Sequence, residues 1–288
     1  MRDAVIVSVA RTPIGKAYRG AFNATPGATL GSFSVKAAVE RAGIDPAEVD
    51  DCIWGSALQQ GTQGGNIARQ VALRAGLPIS VPGMSMDRQC SSGLMTIATA
   101  AKQVIVDRMD VVVAGGQESI SLVQTKEMRV GRDDALVAMH PDIYMPMLQT
   151  AEIVAARYSV SRDAQDEYSL QSQQRTAAAQ AAGKFDDEII PVSTKMGVAN
   201  KETGEVTFHD VTISKDEGNR PETTLEGLKS LKPVIDGGVI TAGNASQLSD
   251  GSAAVVVMEA AEAARRGLTP LGRYVGMAAA GTEPDEMG

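Results

Sequence analysis

The segment GMSMDRQCSSGLMTIATAAKQVIVDRMDVVVA, residues Gly83–Ala114, contains the pattern that decides the fold. A short run at Gly83–Met86 predicts a strand, and apolar side chains at helical spacing predict a helix over Ser91–Asp107. A continuous apolar, β-branched run at Asp110–Ala114 predicts a strand that is buried on both faces. Strand, helix and strand in this order indicate a βαβ unit on a parallel or mixed sheet.

The same alternation continues on both sides of this segment. Further strands are predicted at Ala4–Ala10, Cys52–Leu58, Ser252–Met258 and Leu271–Ala280. Further helices are predicted at Thr29–Ala42, Asn66–Ala75 and Glu259–Arg266, with Asn66 as an N-cap and Gly43, Gly76 and Gly267 as stops. The glycine pairs Gly64-Gly65 and Gly115-Gly116 are typical of turns. The fold class indicated is α/β.

The block from about Glu118 to Thr241 breaks this rhythm because it is more polar and richer in loops. Helices are predicted at Thr150–Tyr158 and Ser161–Ala182, and Lys195–Asn219 has no clear helical period. The block is therefore predicted to be an insertion carried on the sheet domain.

Composition excludes several classes of function. The chain of 288 residues has a net charge of −8 and no basic run, which disfavours nucleic acid and anionic membranes as partners. No apolar run approaches the roughly 18–20 residues of a membrane helix, and the N-terminus lacks the layout of a signal peptide. With only two cysteines, neither a disulfide framework nor a cysteine zinc site is expected, so a reducing cytoplasm is the predicted location.

Cys90 is the most informative single residue. Most free cysteines are small buried hydrophobes, and Cys52, inside a strand pattern, fits that reading. Cys90 instead lies where a strand is followed by a helix, whose N-terminal N–H groups can stabilise a thiolate. Arg88 adds positive charge nearby, and the small residues at 91–93 leave room for a substrate. Cys90 is therefore predicted to be a nucleophile whose own backbone N–H forms half of an oxyanion hole.

A proton acceptor for Cys90 is harder to find. The only histidines, His140 and His209, both lie in the polar block, and spacing places neither beside the cysteine. A histidine in a polar loop is usually just solvated. A second dense region, Thr241–Ser246, is rich in small and hydrogen-bonding residues before a buried strand. It is either a turn cluster or a surface where an extended ligand passes close to backbone, and spacing leaves both open.

Several stretches, taken together and in order, resemble a known family. They are VSVARTPIGKAYRGAF (7–22), GNIARQVAL (65–73), DRQCSSG (87–93), AGGQESIS (114–121), QTAEIVA (149–155) and TAGNASQLSDGSAA (241–254). The sequence resembles thiolases, the CoA-dependent acyltransferases that form or cleave 3-ketoacyl-CoA. The resemblance implies a layered αβαβα fold, with 1–118 and 247–270 as the N-terminal half and 119–246 as an inserted loop domain that covers CoA. Residues 271–288 would then be the first strand of a C-terminal half that is mostly absent.

The resemblance also assigns roles to individual residues. Cys90 matches the nucleophile that takes the acyl group from an acyl-CoA. Ser246 and the backbone at Ala242 match the stretch that lines the pantetheine arm, and Arg220 matches a position that packs on the adenine end of CoA. Met147 matches a methionine beside the acyl pocket. CoA and acyl-CoA are implied as substrates, with no prosthetic group and no metal, and the chain is expected to form homodimers or homotetramers.

Three departures from the family pattern qualify these roles. Asp87 stands where Asn is common, and Pro146 stands where some relatives have His. The Asn-Glu-Ala-Phe, Gly-His-Pro and Cys-x-Gly-Gly-Gly motifs of the family's second half do not occur in this sequence. The resemblance assigns the base histidine and the second cysteine to that half, so the chain alone is expected to be inactive.

The predicted function is acyl transfer through a cysteine acyl-enzyme, either condensing two acetyl-CoA or cleaving 3-ketoacyl-CoA. The alternatives are a degradative thiolase with longer substrates and a catalytically dead CoA-binding fragment. A ketoacyl synthase shares the fold and the cysteine, but it lacks the Gly-Asn-Ala-Ser stretch present here at 243–246.

Overall fold

A computed structural model describes residues 2–128 and 131–287. The chain forms two compact units. Unit 1 contains 2–128, 186–218 and 248–277, and unit 2 contains 131–185, 219–247 and 278–287. Compactness divides the segment 119–246 between the two units, because 186–218 belongs to unit 1. The domains predicted from the sequence are defined by an inserted segment, whereas the two units are defined by compactness. The predicted domain boundaries therefore stay a prediction.

The elements are numbered along the chain. The strands are β1 (Ala4–Arg11), β2 (Gly15–Lys16), β3 (Asp51–Gly55), β4 (Gly83–Met86), β5 (Val111–Ser119), β6 (Val192–Ala199), β7 (Val206–Ile213), β8 (Ser249–Glu259) and β9 (Gly272–Arg273). The helices are α1 (Gly27–Ala42), α2 (Ile67–Arg74), α3 (Ser92–Lys102), α4 (Ile120–Val123), α5 (Asp134–Met139), α6 (Met147–Arg157), α7 (Arg162–Ala181), α8 (Leu225–Lys229) and α9 (Ala260–Arg265).

Unit 1 is built on a mixed sheet in the order β4-β3-β5-β8-β1-β9, with β2 paired to β8. β3 runs parallel to both β4 and β5, as the βαβ pattern predicts. β8 lies between β5 and β1 and is antiparallel to both. The α/β class is therefore confirmed.

Helices cover both faces of this sheet, and the alternation of side chains along β5 separates two cores. Val111 and Val113 pack with α1 and α2 on one face, whereas Val112 and Ala114 pack with α3 on the other. Each of these β5 side chains is buried because neither face is open to water. Trp54, on the α1–α2 face, is the largest fully buried side chain described.

Local signals for helix ends agree with the structure. The Asn66 side chain caps α2 by accepting a hydrogen bond from the Arg69 N–H, and Ser161 caps α7 by accepting one from the Ala164 N–H. Gly43 ends α1 with a φ of 64°, in the left-handed region that glycine adopts without strain. The strand predicted at Gly83–Met86 has those bounds.

Two local predictions are wrong. Gly115 and Gly116 are not turn residues but lie inside β5, where their neighbours leave no room for side chains. The strand predicted at Leu271–Ala280 is reduced to β9, which pairs with Val5 and Ile6 of β1. The polar segment after Lys195, which shows no helical period, is largely a β-hairpin of β6 and β7 that the sequence pattern did not predict.

Replacing Gly115 by Ala is expected to lower the free energy of unfolding by about 2–3 kcal/mol. A Cβ at this position would collide with the Ala253 carbonyl oxygen, the Ala254 Cα and the Trp54 ring. Gly93→Ala is the matched control, since a Cβ there meets no atom within 4 Å and helical Ala is favoured over Gly. Urea unfolding of the three proteins measures the difference. Equal midpoints for the two variants would contradict the steric argument.

Candidate active site

The loop between β4 and α3 presents Cys90. It is closed by Ser92, whose Oγ accepts a hydrogen bond from the Arg88 N–H (2.8 Å) and donates one to the Gln89 carbonyl (2.6 Å). Ser91 Oγ donates to the Arg88 carbonyl (2.8 Å). Gln89 has a φ of 49°, a left-handed conformation that is uncommon for a residue with a side chain. The small polar residues after Cys90 therefore lock a tight turn immediately before it.

The turn lies at the carboxyl edge of the parallel strands. A Cβ on Gly55, the last residue of β3, would collide with the backbone and Cβ of Ser92, so the absence of a side chain lets α3 begin directly against β3. Cys90 precedes Ser91, the N-cap of α3, and its thiol is free and exposed. An exposed thiol at this position can be approached by a substrate.

Cys52 has the opposite environment. It is fully buried in β3 among the α1–α2 core residues. Burial and, secondly, the charge of neighbouring Asp51 raise the pKa of the Cys52 thiol to about 12. Cys52 is therefore a core residue, as its strand pattern predicts, and its thiol stays protonated at neutral pH.

A polar network that the sequence pattern did not single out supports the same sheet edge. Glu118, near the end of β5, accepts hydrogen bonds from the Ala57 N–H (2.9 Å), the Ser56 hydroxyl (3.2 Å) and Gln63 Nε2 (2.5 Å). Gln63 is fully buried. The carboxylate thus fixes the loop that follows β3. The sequence could have indicated this role, because Glu118 follows a buried apolar run within AGGQESIS. A carboxylate in such a position needs hydrogen-bond donors close to it.

The predicted CoA-binding residues all belong to unit 2. Ala242 and Ser246 are exposed on one loop. Arg220 is also exposed, and its backbone N–H donates to Gln173 Oε1 (2.8 Å). Met147 is the first residue of α6 and is about half exposed. The structure thus places Ala242 and Ser246 together, while Arg220 and Met147 lie on other segments and Cys90 belongs to unit 1.

Two acidic side chains, of which Asp166 is fully buried, hold the loop that carries Ala242 and Ser246. Asp166 of α7 is fully buried, and its two carboxylate oxygens accept from Arg162 Nε (2.7 Å) and Asn244 Nδ2 (3.1 Å). Glu152 of α6 accepts from the N–H groups of Val239 and Ile240. Neither acid was predicted from the sequence, because each contacts a loop residue that is 78 or more positions away along the chain.

The two histidines have solvated positions. His140 is exposed at the end of α5 in unit 2. His209 is exposed in β7 of unit 1, with Nε2 3.0 Å from Thr207 Oγ1. These surroundings are those of ordinary surface histidines.

Asp87 explains how one departure from the family pattern is accommodated. Its Oδ1 accepts a hydrogen bond from the Gln89 N–H (2.6 Å), and an asparagine Oδ1 offers the same acceptor. In Asp87→Asn, acetyl-CoA is therefore expected to acylate Cys90 at a rate within about twofold of the native rate. In Asp87→Ala the same acylation should be at least about fivefold slower, because the turn loses this hydrogen bond. Mass spectrometry of the adduct over time measures both rates. Equal rates for the two variants would exclude this role for the Asp87 oxygen.

Among residues 2–128 and 131–287, no helix is long and apolar enough to cross a membrane. Within the same ranges, no cluster of three or more His, Cys, Asp or Glu side chains could hold a metal ion.

Comparisons with known proteins agree with the motifs. The family described as "Thiolase, N-terminal domain" matches residues 4–261. The "3-ketoacyl-CoA thiolase" of Bacillus subtilis (strain 168) is 43% identical over 292 residues, which cover 100% of this chain and 74% of that protein. The "Acetyl-CoA acetyltransferase" of Paracoccus denitrificans is 43% identical over 302 residues, with the same coverage.

Solved structures give the same result. The crystal structure of human mitochondrial 3-ketoacyl-CoA thiolase superposes with a TM-score of 0.80 at 35% identity, covering 94% of this chain and 69% of that one. The similarity therefore extends over both the sequence motifs and the fold. This chain belongs to the thiolase family.

Proposed function

We propose that Cys90 is the nucleophile of an acyl transfer from acyl-CoA. The observation that carries this proposal is a free, exposed thiol on a turn locked by Ser91 and Ser92, inside the DRQCSSG motif. The Cys90 thiolate attacks the thioester carbonyl, the bond from that carbonyl to the CoA sulfur breaks, and CoA leaves as a thiol after taking up a proton. A thioester on Cys90 is the result.

The second half of the reaction forms or breaks a carbon–carbon bond. In condensation, the α-carbon of a second acetyl-CoA loses a proton and attacks the acyl-enzyme, so that acetoacetyl-CoA forms and the Cys90 thiolate is released. In cleavage, CoA attacks 3-ketoacyl-CoA by the reverse steps. The Cys90 N–H, at the amino end of α3, is one donor suited to the oxyanion that develops on the acyl carbonyl.

The CoA portion of the substrate is assigned to unit 2. The exposed Ala242 and Ser246 are proposed to line the pantetheine arm, and the exposed Arg220 to pack on the adenine. Met147 is proposed to lie beside the acyl group. These roles rest on the match of each position to the family motifs. They also account for an anionic ligand on a chain of net charge −8, since a few local contacts suffice.

Acyl-chain length distinguishes the two candidate substrates. The relatives include proteins named acetyl-CoA acetyltransferase and 3-ketoacyl-CoA thiolase at equal identity, so the names favour neither. Incubation with acetyl-CoA and octanoyl-CoA, followed by mass spectrometry of the Cys90 peptide, tests both the acyl-enzyme and its preference. Preferred acetylation supports the biosynthetic reading, and preferred octanoylation supports a degradative thiolase. CoA binding without any adduct would instead favour a catalytically dead CoA-binding module.

Assembly and location are part of the same proposal. We expect the chain to form homodimers or homotetramers and to function in the cytoplasm, in lipid metabolism. Static light scattering of the purified chain across a concentration series tests the assembly. A monomer at every concentration would contradict it.

A further inference from the structure

The loop at 238–246 of unit 2, termed here the pantetheine loop, is held internally by its own polar side chains. Thr241 N–H donates to Asn244 Oδ1 (2.7 Å), and Thr241 Oγ1 accepts from the N–H groups of Gly243 (3.1 Å) and Asn244 (3.3 Å). Ala245 N–H donates to the Thr241 carbonyl (3.0 Å). Asn244 is the hub of this loop, since its other amide atom, Nδ2, donates outside the tight turn to Val239 O and to Asp166.

Asp166 fixes this hub to helix α7. Its side chain has 0% exposure, and its two oxygens are divided between a cation and a loop residue. Oδ2 accepts from Arg162 Nε (2.7 Å), and Oδ1 accepts from Asn244 Nδ2 (3.1 Å). Arg162 in turn donates from Nη2 to the carbonyls of Leu228 (2.6 Å) and Leu231 (3.2 Å). A single buried carboxylate therefore joins α7, the end of α8 and the pantetheine loop.

Glu152 fixes the other end of the loop. Its carboxylate accepts from the Val239 N–H (2.9 and 3.0 Å) and the Ile240 N–H (2.8 Å). Buried carboxylates are costly unless their charge is matched by donors, and such charged hydrogen bonds are shorter and stronger than neutral ones. Two acids on successive helices thus hold the pantetheine loop at both ends. Asp166 holds the end of the loop that contains Ser246, because it accepts a hydrogen bond from Asn244, two residues before Ser246.

We propose that Asp166 is a positioning residue for CoA binding: through Asn244 it preorganises the pantetheine loop in the conformation that binds the ligand. This inference rests on the proposed assignment of the loop to the pantetheine arm. A loop that is ordered before binding does not lose conformational freedom on binding, so its affinity for ligand is higher. Asp166 acts through Asn244 rather than by touching the ligand itself.

Asp166→Asn is the decisive variant because it keeps the shape and removes one acceptor. A carboxylate accepts on both oxygens, whereas an amide has one acceptor oxygen and presents N–H groups at the other position. The amide of this variant therefore cannot accept from both Arg162 and Asn244. Asp163→Asn is the matched control, since Asp163 lies on the same helix, is 70% exposed and pairs only at the surface with Lys229 (3.2 Å). Isothermal titration calorimetry with CoA is the measurement.

We expect the dissociation constant for CoA to rise about tenfold in Asp166→Asn and to change less than about twofold in Asp163→Asn. The dissociation constant is the informative quantity because a partly unfolded sample lowers the binding stoichiometry and leaves the affinity of its folded molecules unchanged. A folded Asp166→Asn chain that binds CoA with native affinity would overturn the proposal. Should this variant not fold, native CoA affinity in Asn244→Ala would overturn the proposal, since that variant removes the contact with Asp166 together with the bonds of Asn244 to Thr241 and Val239.

Hydrogen exchange separates this inference from the proposed function. Without ligand, the N–H groups of Thr241, Gly243 and Asn244 should exchange faster in Asp166→Asn than in the native chain. Faster exchange in Asp166→Asn, combined with a native chain that itself binds no CoA, would count against the assignment of the loop to CoA and leave the positioning contact standing. Unchanged exchange would refute the positioning contact, whatever the affinity for CoA.

Discussion

Replacing Cys90 by Ala is expected to abolish uptake of an acetyl group from acetyl-CoA, whereas replacing Cys52 by Ala should leave uptake unchanged. The reason is the environment of the two thiols. Cys90 is exposed on a locked turn, and Cys52 is fully buried with its pKa raised to about 12. The intact mass of the protein after incubation with acetyl-CoA measures uptake, and peptide mapping locates the adduct.

Alkylation by iodoacetamide provides an independent control for this prediction. In the folded native chain, Cys90 should react at least about a hundredfold faster than Cys52, because only the exposed thiol is available without unfolding. In denaturant the two should react at similar rates. An acetyl group retained in Cys90→Ala, or found on another residue of the native chain, would overturn the assignment of the nucleophile.

The second large expected effect is the absence of turnover by the 288-residue chain. The resemblance assigns the base and the second cysteine to Gly-His-Pro and Cys-x-Gly-Gly-Gly motifs, and neither motif occurs in this sequence. His140 and His209 have the surroundings of surface histidines rather than of a catalytic base. Deprotonation of the α-carbon of the second acetyl-CoA requires a positioned base. Acetoacetyl-CoA formation should therefore stay at background.

The control for turnover is the protein of Paracoccus denitrificans named acetyl-CoA acetyltransferase, of which this chain covers 74%. Assayed at equal concentration, that protein should be active under conditions where this chain is not. Acetoacetyl-CoA production by this chain at a comparable rate would show that its own residues supply the missing base. Acylation of Cys90 without turnover would separate the first chemical step from the second.

Strands and helices of the sheet domain were predictable wherever neighbouring residues in the sequence determine the local structure. Strand β4 and the Asn66 cap follow from apolar runs and from a side chain that satisfies a free N–H group at a helix start. Hairpin β6–β7 was missed because most of its side chains are exposed, so its few apolar residues are interspersed with polar ones and do not form the continuous run of a buried strand. Asn23 fixes it instead, through two bonds of 2.8 Å to the Gly197 backbone.

Some residues of the candidate site could likewise be predicted from local sequence, and others could not. Cys90 could be identified from its neighbours in the sequence, because the strand, the small residues and the helix start are all adjacent. Asp166 and Asn244 could not be paired, since a hydrogen bond between positions 78 residues apart leaves no local pattern. The apolar run after Leu271 failed as a strand prediction because β9 pairs with only two residues of β1, and Val275 is 88% exposed.

The central place of β8 in the sheet has a consequence for synthesis on the ribosome. β1 and β5 are made early, yet in the finished sheet they are joined only through β8, which begins at Ser249. At about 5–20 residues per second, the stretch between β5 and β8 takes roughly six to twenty-six seconds to translate. During that interval the inner edges of β1 and β5 lack their final partner and expose backbone groups suited to pairing with other chains. We therefore expect the nascent chain to be most prone to aggregation before β8 has been made.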